Sequence, residues 1–123
     1  MATITIPAQS RIGPVHSPTV IVPAGHTSAF IQFTMPVQAE RDDPARRMDA
    51  AVEYSADGVI FKPYVMVGWQ GGTGILSKDG LTTNPPPSLG IFGAALGGLV
   101  GTQCRIAADL PVAITVGATL TVT

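Results

Sequence analysis

The residues that could do chemistry are few. The sequence holds two histidines, His16 and His26, and one cysteine, Cys104, in 123 residues. Each histidine lies in a Pro- and Gly-rich loop and is followed by a hydroxyl residue, Ser17 or Thr27. Sequence neighbours are not catalytic partners, because a triad needs a separate buried acid to orient the ring. The sequence points to no such acid. Two histidines and one cysteine do not compose a zinc site. Asp42, Asp43 and Asp49 lack the spacing of a calcium loop and stand beside Arg46 and Arg47, which compete as cations. Glu53 and Asp57 are the nearest carboxylate pair, but an exposed strand face explains them better than a glycosidase site does. Gly71-Gly72-Thr73-Gly74 lacks the lysine and the following helix of a phosphate loop. No catalytic, metal-binding or cofactor-binding residue is assigned, no cofactor is expected, and the expectation is a protein that is not an enzyme. Trp69, Tyr54 and Tyr64 remain as rings on which a sugar could stack, although such rings belong more often to a core or an interface.

The elements that would position these residues are strands. Ala2–Ile6 alternates threonine with isoleucine, a period-2 pattern of β-branched residues. Pro7 is expected to end it, with a loop over Gln9–Pro18. Short strands follow at Thr19–Val22 and Ser28–Met35, the second with Ala29, Ile31, Phe33 and Met35 on one face. Ala51–Trp69 reads as a hairpin whose Ala56-Asp57-Gly58 turn needs a positive φ at Gly58. Pro63 within it implies an edge position or a bulge. Thr102–Ala107, Val112–Val116 and Ala118–Thr123 read as three further strands, separated by a turn at Asp109-Leu110-Pro111 and a break at Gly117. The expected fold is all-β: a single antiparallel β-sandwich or jelly-roll-like domain of about eight short strands over residues 1–123. Within it, residues 2–7 form an N-terminal strand arm, 40–49 a charged loop or short helix with Asp43 as N-cap, and 84–101 a long Pro/Gly-rich connection.

Charge narrows the function further. Charged residues are 12% of the chain, about half the usual ~25%, and the net charge is −1. A nucleic-acid partner needs a basic face, and none can be built here. A single cysteine excludes an intrachain disulfide. The N-terminus has no basic region ahead of an apolar run, so no signal peptide is expected. The longest weakly polar stretch, Leu89–Val100, is too short and too rich in glycine to cross a membrane. Low charge with 46% apolar residues suits a surface committed to permanent subunit contacts. The candidate contacts are Ile4 and Ile6 on the arm, through edge pairing, and Leu89, Ile91, Phe92, Leu96, Leu99 and Val100 in the connection. These last six would make a contact or cover an open end of the fold. Arg41, Asp42, Asp43, Arg46 and Arg47 are candidates for an electrostatic contact, in a segment that holds seven of the fifteen charged residues.

Four stretches together carry a resemblance: Thr19-Val-Ile-Val-Pro-Ala-Gly25, Ser28–Thr34, Val52-Glu-Tyr-Ser-Ala-Asp-Gly58 and Val116-Gly-Ala-Thr-Leu-Thr-Val-Thr123. Their texture resembles the small β-sandwich head decoration, or cement, proteins of tailed-phage virions. The resemblance implies a non-enzymatic structural virion protein, made in the host cytoplasm, that binds the capsid surface and stabilises contacts between capsid subunits. Its implied partners are copies of itself, a trimer being favoured, and the major capsid protein, with no nucleic acid and no membrane. The alternative is a carbohydrate- or receptor-binding β-module of a phage fibre or spike.

Overall fold

The threonine–isoleucine alternation near the N-terminus and the β-branched runs near the C-terminus do form strands, and they pair with each other. The computed structural model describes residues 2–25, 29–72, 75–78, 81–83, 89–94 and 96–123, with backbone alone at 2, 75–78, 81–83, 89–94 and 97. Nine strands lie among the described residues: β1 (Ala2–His16), β2 (Val20–Ile21), β3 (Ala29–Thr34), β4 (Arg47–Ser55), β5 (Lys62–Gln70), β6 (Ile75–Lys78), β7 (Leu81–Thr83), β8 (Leu89–Ala94) and β9 (Gln103–Val122). A one-turn helix, α1 (Gln38–Arg41), and a 3-10 turn at Gly97–Leu99 complete the described elements. All pairings are antiparallel and all nine strands join one sheet, in the order β7-β6-β5-β4-β9-β3-β8. The fold is all-β, as expected.

β9 is the axis of this sheet. One of its edges pairs with β1 from Ala107 to Val122 and with β2 at Gln103 and Cys104. The other edge pairs with β4 from Gln103 to Asp109 and with β3 from Gly117 to Val122. Twenty residues fully extended span about 66 Å, whereas a compact chain of this size has a radius of gyration near 14 Å. The strand must bend, and both of its halves do contribute to the same cluster of buried residues. Along β9 the even-numbered positions face that cluster, from Cys104, Ile106 and Leu110 to Ile114, Leu120 and Val122, with the exception of the exposed Val112.

Two irregularities in the β1–β9 ladder make the bend. Ile6 faces Ala118 and Gln9 faces Val116, so Pro7 and Ala8 together oppose Gly117. A Cβ on Gly117 would lie 2.9 Å from the Ala8 nitrogen, closer than real contacts allow. Further along, Arg11 faces Ile114 and Gly13 faces Leu110, so Ile12 alone opposes Pro111, Val112 and Ala113. The excess residues lie first on β1 and then on β9, each time beside a proline. This corrects four expectations: the stop at Pro7, the loop from Gln9, the turn at Asp109-Leu110-Pro111 and the break at Gly117 all lie inside continuous strands. Proline lacks a donor and glycine lacks a Cβ, and at a bulge both are tolerated without ending the strand.

Other expectations hold. Ala29, Ile31, Phe33 and Met35 are all buried. Gly58 has φ of +77°. Pro63 sits at a bulge, with Val52 opposite Val65, Glu53 opposite Pro63, and Tyr64 left over. β5 begins at Lys62 rather than directly after the Ala56-Asp57-Gly58 turn, because Asp57 holds the intervening backbone. Its Oδ1 accepts from the Val59 and Ile60 N–H groups at 2.9 and 3.1 Å and from the Ser55 hydroxyl at 2.8 Å. These bonds, the Val59 N–H first, lower the Asp57 pKa from 3.8 to about 2. The 84–101 connection is more regular than expected: its Leu89–Ala94 part is β8, paired in register along β3, while residues 84–88 lie outside those described.

The N-terminal arm is part of the core, with Ile4 and Ile6 8% and 4% exposed. We expect Ile6→Ala to cost about 2–5 kcal/mol in chemical denaturation, the range for emptying a packed aliphatic site, and Gly117→Ala to destabilise by forcing the bulge apart. Asp57 contributes stability above its unfolded pKa of about 3.9, and loses it as pH falls toward about 2. An acid titration is expected to show this loss in the parent chain and not in Asp57→Ala.

Candidate functional site

The charged segment is the first place the structure reassigns. α1 precedes Pro44 instead of following it, and Asp43 caps a turn, accepting from the Ala45 N–H at 3.0 Å. That bond and the Arg46 guanidinium lower the Asp43 pKa. β4 starts at Arg47, so Asp49 is a strand residue. The carboxylate of Glu40 accepts from the Thr115 N–H at 2.8 Å and from its hydroxyl at 3.2 Å. Arg46 Nη1 donates to the Ala113 carbonyl at 2.5 Å and pairs with Glu40 at 3.1 Å, while its Nε donates to Asp43 at 3.1 Å. These partners sit between Asp109, where β4 leaves β9, and Gly117, where β3 takes over. Glu40 and Arg46 thus replace strand pairing at the bend.

Of the five residues considered for an electrostatic partner, four are used within the chain. Arg41 donates to the Met35 carbonyl and to Gln38, Asp42 accepts from Gln38 at 2.9 Å, and Asp43 and Arg46 bind each other. Arg47 is exposed and has no partner among the described residues. The apolar set divides likewise. Ile4, Ile6, Leu96 and Leu99 are buried in the chain's own core, so the covering role fits Leu96 and Leu99. Val100 is exposed, and the side chains of Leu89, Ile91 and Phe92 lie outside those described.

The reactive residues fare similarly. Cys104 is buried, and burial raises its thiol pKa. Ser17 is committed to structure: its hydroxyl donates to the Pro18 carbonyl and accepts from the Ile106 N–H. His26 lies outside the described residues. Trp69 is 4% exposed and offers no ring to solvent. Tyr64 meets Tyr54 edge-on at 5.9 Å.

The structure does bring together a set that the sequence reading left scattered. Three rungs of register define it on the outer face of β1, β9, β4 and β5. His16 faces Ala107, which faces Ala51, which faces Met66. On one side, Pro14, Asp109, Asp49 and Gly68 align; on the other, Arg105 faces Glu53. The two alanines leave a hollow floor, and the result is a groove of about 370 Å³. Arg105 closes one end: its Nε donates to Glu53 at 3.0 Å and its guanidinium lies 3.8 Å from the centroid of Phe61. At the other end Asp49 and Asp109 oppose each other with no hydrogen bond or ion pair among the described residues. Like charges directly opposite in a ladder repel. His16 Nδ1 donates to the Ser17 carbonyl at 3.0 Å, which leaves Nε2 of the neutral ring as an acceptor. Chemically, the groove offers an apolar floor with a negative end. Outward alanines at strand positions were the signal for it. Among the described residues no group of three or more His, Cys, Asp or Glu could hold a metal ion.

Comparison with protein-family models, with curated proteins and with solved structures gives no match. Among the described residues no helix is long and apolar enough to cross a membrane.

The Glu40 clamp generates a test. Glu40→Ala leaves the Thr115 N–H without its acceptor and Arg46 with Asp43 as its one remaining counter-charge among the described residues, and is expected to cost about 1–3 kcal/mol. Arg47→Ala, with no contact to lose, is expected to cost less than about 0.5 kcal/mol. Urea denaturation of both variants checks the contrast.

Proposed function

We propose that this chain is a non-enzymatic structural protein of a virion that binds the capsid surface, as a homo-oligomer, and stabilises contacts between capsid subunits. The reading takes the bent sheet as a jelly-roll-like sandwich. One observation carries it: large apolar side chains stand in water on a chain with little charge. Val59 is 80% exposed, Ile12 67%, Ile60 64%, Ile21 63% and Met66 58%. Among the described charged residues, many are bound within the chain, at Arg41, Arg46, Asp43, Glu40, Glu53 and Arg105. Exposed apolar residues with little free charge around them suit a surface that a partner covers. The carbohydrate-binding alternative loses its strongest ring with the burial of Trp69.

In lysates of cells that produce the chain, it is expected to band with assembled capsids in a density gradient. Val59→Asp/Ile60→Asp is expected to release it while leaving its circular dichroism unchanged, since both residues lie outside the core. Recovery of the unaltered chain only as free protein at the top of the gradient overturns the reading. Specific binding of the free chain to an oligosaccharide would favour the alternative.

A further inference from the structure

β1 is bonded to β9 along one edge and, among the described residues, to no strand along the other. An open edge of fifteen residues is a template for another strand, and proteins usually blunt such edges. From Pro7 onward this one is blunted. Pro7 and Ala8 bulge, the Arg11 guanidinium donates to the Pro7 carbonyl at 2.7 Å, Gly13 has φ of +78°, and Pro14 has no N–H to offer. The five residues Ala2–Ile6 have none of these devices. Their register to β9 is unbroken, and they contain no proline, no glycine and no charge.

We propose that the Ala2–Ile6 edge pairs with the same edge of a second copy of this chain, antiparallel about a two-fold axis at Ile4. The alternation selects both partner and register. Opposed residues in an antiparallel pair share a face, so a register that set threonine against isoleucine would put the two cores on opposite sides of the sheet. With the axis at Ile4, Thr3 faces Thr5 of the second copy, Ile4 faces Ile4, and Ala2 faces Ile6. Every position is paired and both buried faces lie on the same side. The charges match as well, because neither edge brings a charge that the other would leave unpaired or repel. The sheet then runs unbroken through both copies. The interface is smaller than the standard ~1,600 Å², so the pair is expected to dissociate on dilution through the micromolar range. This inference deepens the assembly reading but departs from a trimer, because an isologous edge joins copies in twos.

Sedimentation of the full chain over a dilution series tests it. The parent is expected to pass from dimer to monomer. Thr3→Lys/Thr5→Lys sets like charges directly opposite at two places and is expected to weaken dimerisation by roughly tenfold or more. Thr3→Lys/Thr5→Glu sets opposite charges at the same places and is expected to recover it. Both positions face solvent, and circular dichroism checks that each variant is folded. A parent that stays monomeric or forms a trimer, or a Lys/Lys variant that pairs as tightly as the parent, overturns the inference. Capsid binding is read separately, so a chain that bands with capsids yet never dimerises refutes the edge pairing alone.

Discussion

The backbone of β9 has to stay hydrogen-bonded while it bends. Four other strands pair with it, two along each edge, and all depend on its register. A buried donor or acceptor without a partner costs far more than an average hydrogen bond contributes. The bend therefore needs substitutes for the ladder wherever the strands diverge. Bulges at Pro7-Ala8 and at Pro111–Ala113 absorb the change of direction on one edge. On the other edge a carboxylate and a guanidinium take the places of two backbone groups. Glu40 and Arg46 stabilise the fold because the groups they reach are partly buried and already aligned, not because an exposed ion pair is strong.

How much of this was legible in the sequence follows from which signals are local. The faces of β3, and the inward Leu120 and Val122, follow from alternation, which depends only on neighbouring residues. The Asp57-Gly58 turn was legible for the same reason. Strand ends were not. Pro7, Pro111 and Gly117 read as terminators when each is considered alone, but their effect depends on what lies opposite. Gly117 does not break β9; it makes room for Ala8, a residue more than a hundred positions away. The charged segment misled in a related way. Its mixed signs looked like a solvated loop or a partner surface, since nothing local shows that Thr115 and Ala113 lack a strand neighbour on one edge of β9.

The groove on the outer face is the part of the candidate site that required three dimensions. His16, Asp49, Glu53, Arg105 and Asp109 come from three strands, and only the combined registers of β1, β9 and β4 align them. The alanines at 51 and 107 are as informative as the charged residues around them, because a depression in a sheet arises where large side chains are missing. The burial of Trp69 bears on function in the opposite direction, since it ties the largest ring of the chain to the core.

The position of β9 in chain order has a consequence for biogenesis. The strand that organises the sheet comes after all four of the strands it joins, and its final residue pairs with the start of the first of them, Val122 meeting Ala2. Until it emerges, β1, β3 and β4 lack their common neighbour and hold exposed isoleucine, phenylalanine and methionine. Contacts so distant in sequence slow the search for the native state, toward the millisecond-to-second range of all-β domains. The pairs that β1, β3 and β4 make with β9 therefore form only after β9 itself has been made. A premature stop that removes the final third of β9 takes from β3 its whole ladder to β9 and from β1 its partners for Ala2–Ile6.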